Sequence, residues 1–166
     1  MKKRILINDR LQKGSYFLTQ PIGRNFDPQF RPELTPKEML SLGVFDGNYF
    51  DGYIDEYPDS WFRKAKLSNK KDPLLNFFKI HASQPHSVWI QKGWINPSDL
   101  RGWFQWYCRY YYGRRIPTED LRQIKRWNAM KRHISAIKKN CKKNDLTCRI
   151  KQRQALLHWA YDSRKI

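Results

Sequence analysis

Residues 101–115 read RGWFQWYCRYYYGRR, seven aromatic side chains and four arginines in fifteen positions. Rings are the largest apolar units a core can use, but ring faces beside guanidinium planes are also what proteins offer to nucleic acid. On a helix over 97–112, Leu100, Trp103, Phe104, Tyr107 and Tyr111 share one face, and Trp106 and Tyr110 project from others. A helix apolar nearly all round is a buried helix. Most of these rings are therefore expected in the core. The exceptions are expected at its rim, with Trp106, Tyr110 and Tyr112 as base-stacking candidates beside Arg109, Arg114 and Arg115.

Working outward, Asn96 and Pro97 offer a cap and a first helical position, and Gly113 an end. The following segment begins Thr118-Glu119-Asp120 and finishes with Lys138, Lys139, Lys142 and Lys143, charges that suit the dipole of one helix over 118–141. Leu121, Ile124, Trp127, Met130, Ile134, Ile137 and Cys141 form its apolar stripe. A last helix is expected from about Cys148 to Arg164. Upstream, TPKEMLSLG (35–43) carries a capping box, with Thr35 as cap, Pro36 at the first position, Glu38 reaching back and Gly43 at the end. Another helix is expected from Pro58 to about Leu67, and SVWIQKG (87–93) reads as either one helical turn or a short strand. Residues 1–34 hold Pro21, Pro28 and Pro32 with no sustained period, and read as an extended arm with one short strand at RILI (4–7). The expected fold is mainly α: a single compact helical domain over 35–166, with an extended, Pro-containing N-terminal arm and little β.

At 166 residues with 40% hydrophobic composition, a real core is affordable and global disorder is excluded. The net charge is +18, carried unevenly: residues 1–83 hold 14 basic and 10 acidic side chains, residues 84–166 hold 19 and 5. Such a field gathers polyanions. Between Asp120 and Asp145 no acid relieves Arg122, Lys125, Arg126, Lys131, Arg132, Lys138 and Lys139. Like charges at helical spacing repel, so these cations call for an external anion. With Arg101, Arg109, Arg114 and Arg115 they make the expected nucleic-acid-binding set, duplex DNA ahead of RNA because the cations lie along a helix. No apolar run approaches a membrane span, and three cysteines without an export signal suit a soluble, intracellular protein of the cytoplasm, nucleus or nucleoid. Nothing in the sequence sets an oligomeric state.

Catalysis is left open. Asp46, Asp51, Asp55 and Glu56 are the candidate catalytic acids for a repair or processing enzyme, by base excision or as a nuclease with Mg2+ as its ion. No nuclease signature accompanies them, and the simpler expectation is that they cap turns and pair with surplus cations. No cofactor is otherwise expected. Cys141, Cys148, His133 and His158 form an outside candidate set for zinc, but C-x6-C is not a common zinc spacing, and buried thiols or a Cys141–Cys148 bridge are simpler. A structural nucleoprotein subunit is a third class consistent with the charge.

Overall fold

A computed structural model describes residues 2–166. The protein is mainly α, with one two-stranded sheet: β1 (Lys3–Asn8), β2 (Lys13–Leu18), α1 (Pro36–Leu42), α2 (His86–Gln91), α3 (Trp103–Tyr112), α4 (Pro117–Ala129), α5 (Lys131–Asn140) and α6 (Ile150–His158). Among the described residues no helix is long and apolar enough to cross a membrane.

Aromatic density makes α3 the axis of the core. Phe104, Trp106, Tyr107 and Cys108 are wholly buried, and Phe30, from the N-terminal segment, meets Trp103, Trp106, Tyr107, Tyr110 and Trp127 at ring-centroid distances of 4.9–6.5 Å, all edge to face. Edge-to-face rings add about 0.5–1.5 kcal/mol each beyond area burial. The helix ends at Gly113, where φ is +128° and a Cβ would lie 2.2 Å from the Gln20 carbonyl oxygen. That close approach lets the Gly113 carbonyl accept the N–H groups of Thr19 and Gln20.

The N-terminal region departs from a simple arm. Residues 3–18 form an antiparallel hairpin pairing Ile5 with Tyr16 and Ile7 with Gly14. Ile5, Ile7 and Tyr16 point inward by the two-residue alternation of a strand, and Leu6 and Phe17 point outward. Residues 19–34 then follow an irregular path with turns closed by Arg24 N–H to the Pro21 carbonyl and Phe30 N–H to the Asp27 carbonyl, and Glu33 and Leu34 donate to the Ala160 carbonyl. Phe30 and Leu34 belong to the same hydrophobic cluster as α3.

Several helical expectations are corrected. The capping box at α1 forms as read, with Thr35 Oγ1 accepting the Glu38 N–H and donating to its carboxylate, both at 3.1 Å. Helix α3, however, begins at Trp103, because Asn96 Oδ1 accepts the Ser98 N–H in a turn and Asp99 is drawn inward by two arginines. The segment from Pro58 to Leu67 is a 3-10 turn at Asp59–Trp61 followed by further turns. The helix expected over 118–141 breaks at Met130 into α4 and α5. There the Trp127 carbonyl accepts both the Met130 N–H, in a tight i→i+3 turn, and the Tyr161 hydroxyl at 2.8 Å. Leu121, expected in the stripe, is exposed, whereas Ile124 and Trp127 are buried. Helix α6 stops at His158, freeing Ala160 to turn left-handed (φ +63°) and receive the N-terminal strap.

Candidate functional site

Beneath the hairpin lies a fully buried ionic network. Arg109 donates through Nε and Nη2 to Glu56, and through Nη1 to Asp99, Gln12 Oε1 and the Ser98 carbonyl. Arg114 forks onto both oxygens of Asp99 at 2.7 and 2.8 Å, and the Tyr16 hydroxyl donates to Glu56 at 2.6 Å. Arg101 forks onto Asp9 at 2.6 Å. Burial pushes the Asp9 carboxyl up, but the Arg101 hydrogen bonds, the Leu11 N–H and the charges of Arg101 and Arg109 outweigh it and hold the group below its ordinary range. Arg101, Arg109 and Arg114, expected at a phosphate-binding surface, are therefore interior ties between the hairpin, the 96–102 turn and α3.

Trp106 and Tyr110 are not available for base stacking either. Trp106 is fully buried and donates its indole N–H to Asp120 at 2.8 Å, and the Tyr110 hydroxyl accepts the Asp27 N–H at 2.8 Å. Tyr112 is half-buried against Tyr57 and Trp61. Arg115 lies 3.7 Å from the Tyr110 ring centroid and donates to the carbonyls of Arg24 and Asn25, and Arg122 is paired with Glu119 at 2.5 Å. The remaining predicted cations differ. Lys125, Lys131, Arg132, Lys138 and Lys139 are exposed and Arg126 is half-buried, and none of them forms an ion pair among the described residues.

The four acids separate. Glu56 belongs to the buried network, Asp55 is exposed, and Asp51 pairs with Arg10 at the surface. Asp46 is buried, accepting Asn76 Nδ2–H at 2.7 Å and lying 2.6 Å from His81 Nδ1. It sits in a run of left-handed residues, Phe45, Asp46 and Gly47, with φ of 52°, 58° and 74°. Two such non-glycine conformations cost roughly 1–3 kcal/mol each and are characteristic of built sites.

Nor do the four zinc candidates converge. Cys141 and Cys148 are joined in a disulfide across 5.9 Å between Cα atoms. His133 Nδ1 faces Gln152 Nε2 at 3.1 Å, whereas His158 stacks on Phe45 at 4.2 Å. Among the described residues no three His, Cys, Asp or Glu side chains gather as a metal site.

A cavity of about 480 Å³ opens between the 82–95 segment and helices α4, α5 and α6. Phe45, Tyr49, Trp89, Trp94, Trp103 and Trp159 line it, with Arg126, Arg132, His133 and His158. Trp159 packs against Trp103 with the rings tilted and their centroids 4.6 Å apart, and Arg126 lies 5.3 Å from the Trp159 ring while donating to the Trp94 carbonyl at 3.3 Å. Burial, helped by the charge of Arg122, pushes the Arg126 guanidinium down to about 10. It remains a cation at neutral pH, half out of water and with no carboxylate beside it. A second cleft of about 290 Å³ adjoins the first, sharing Phe45, Tyr49, Ser83, Gln84 and Trp89, and is lined by Asp46, Asp51, Arg10, Lys71 and His86.

No protein-family model, curated protein or solved structure matches the chain.

Of the cleft, the sequence flagged Arg126, Arg132, His133 and His158, the histidines for a different role. It missed Trp89, which lies in the short α2, and Trp94 and Trp159, which lie just beyond the ends of α2 and α6. The remaining signal was compositional, two tryptophans five positions apart on either side of Gly93.

Proposed function

We propose that the protein binds nucleic acid through its backbone phosphates, using the cations of α4 and α5. The observation that carries this reading is the division of the arginines and lysines. Arg101, Arg109 and Arg114 are consumed by buried acids and Arg122 by Glu119, whereas Lys125, Arg126, Lys131, Arg132, Lys138 and Lys139 have no carboxylate partner among the described residues. Unrelieved like charges on consecutive helices destabilise the free protein, and counterion release on meeting phosphate offsets that cost. The break at Met130 removes the single long helix on which the preference for a duplex groove rested, so phosphate contact rather than groove insertion is the mode proposed. The log of affinity should fall linearly with log salt, by about 0.9 per phosphate contacted on duplex DNA. Replacing Lys125, Lys131, Arg132 and Lys138 together with glutamine is expected to flatten that slope by about 3.6 if each meets one phosphate. An unchanged slope in anisotropy titrations would reject these helices as the contact surface.

A second reading, a nucleic-acid processing enzyme, is favoured by one observation: the cleft holding Asp46 and Asp51 adjoins the aromatic cleft beside the cationic helices. Asp46, fixed by Asn76, orients exposed His81 as a proton-transfer group. Labelled single-stranded, duplex and damaged DNA, each with and without Mg2+, test it. Product formation that disappears in Asp46→Asn supports catalysis, and intact substrate in every reaction rules it out.

A further inference from the structure

Two of the proposed phosphate-contacting cations, Arg126 and Arg132, line the aromatic cleft, and three observations bear on what it takes. Aromatic side chains dominate its apolar lining, with Trp89, Trp94, Trp159, Phe45 and Tyr49 among them and Ile95, Met130 and three alanines between. Trp89, Trp94 and Trp159 are only half-buried, although tryptophan is among the costliest side chains to leave wet. Flat rings favour a flat guest over an acyl chain. Arg126 and Arg132 stand in the same lining without carboxylate partners, which favours an anion attached to that guest.

The third observation is an orphaned donor. His158 is 2% exposed and its Nδ1 accepts the Phe45 N–H at 3.3 Å, so the proton of the neutral ring resides on Nε2. Nε2 is buried and has no hydrogen-bond partner. An unsatisfied buried donor destabilises the fold that holds it. His158 belongs to the cavity wall, but Nε2 itself is closed off from the open cleft, so a carbonyl oxygen or ring nitrogen of a guest would satisfy it only where that wall gave way.

We propose that this cleft receives one unstacked nucleobase of a bound strand, sandwiched by the tryptophans, with Arg126 and Arg132 meeting the flanking phosphates. A volume of about 480 Å³ is within the range of small-molecule sites and admits a base with its sugar. The inference rests on the reading of α4 and α5 as a phosphate-binding surface and adds base capture to it. The protein then prefers strands whose bases are free, because a paired base must first be unstacked at a cost of a few kcal/mol.

The test compares a labelled twelve-nucleotide DNA strand with the same strand made abasic throughout, titrated at low salt against the wild type and Trp89→Ala. Base stacking predicts that the wild type binds the base-bearing strand about ten-fold or more tightly than the abasic one. In Trp89→Ala the base-bearing strand is expected to fall to the abasic affinity, with abasic binding unchanged. Equal wild-type affinity for the two strands overturns base capture and leaves phosphate binding standing. A base preference that survives in Trp89→Ala also overturns it, by locating the base elsewhere. Absence of binding to either strand overturns both readings. The strand comparison on the wild type holds whether or not the variant folds.

Discussion

Replacing Asp99 with alanine is expected to cost about 3–5 kcal/mol of folding stability, because it leaves one buried guanidinium with no counterion and a second with half its charge compensation. Asp99 is completely buried and is the one carboxylate bonded to Arg114, whose Nε already lacks a partner. It also takes one of the Arg109 donors, while Glu56 takes two. Two guanidiniums and two carboxylates balance, and removing one carboxylate strands a cation in low dielectric. Against a typical total of about 5–15 kcal/mol, the loss brings the protein close to unfolding at 37 °C. Urea denaturation measures it, the midpoint falling with little change in slope. The double variant Asp99→Asn, Arg114→Met removes one charge of each sign and leaves Arg109 with Glu56, so it is expected to recover a substantial part of the loss. A change in Asp99→Ala of less than about 1 kcal/mol would show that water or backbone groups satisfy Arg114 instead.

That network also explains why half of the aromatic-arginine stretch was misread from sequence. The burial of α3 was legible, since rings on every face leave no solvated side. The destination of its arginines was not. Arg101, Arg109 and Arg114 look like surface cations until Asp9, Glu56 and Asp99, as many as 92 positions away in the chain, are brought beside them by the hairpin and turns. Pairing at that separation leaves no local pattern. The capping box of α1 was legible because its partners are three residues apart. The break at Met130 was not, because neither glycine nor proline marks it and its cause is the hydroxyl of Tyr161. The same distinction governs the site. Uninterrupted cations on α4 and α5 are a local feature and could be read directly, whereas the cleft is assembled from segments 45–49, 82–95, 102–104, 126–133 and 155–159 and has no linear signature.

Acidification is expected to destabilise the protein well before its carboxylates titrate, through His158. Burial first, and the neighbouring His81 second, push its imidazole down to about 3. In the unfolded chain it returns to about 6.5. Between those values the unfolded state binds a proton that the folded state refuses, so the stabilisation is fully present above about pH 6.5 and is lost as pH falls toward 3. The slope is about 1.4 kcal/mol per pH unit within that window, and the accumulated loss at its lower end is on the order of 5 kcal/mol. His133, lowered by burial and by Arg132, acts in the same direction, whereas Asp120, raised by burial, acts in the opposite one. The depressed Asp9 withdraws its own contribution only below about pH 4, as it is protonated in the folded state. Thermal melts between pH 6.5 and 4.5 therefore leave Asp9 out, and His158→Gln separates His158 from His133 and Asp120. Glutamine keeps an acceptor for the Phe45 N–H but cannot be protonated, so the variant should melt with a markedly shallower pH dependence than the wild type. Parallel curves would place the His158 ring in contact with water and remove the orphaned donor from the cleft wall.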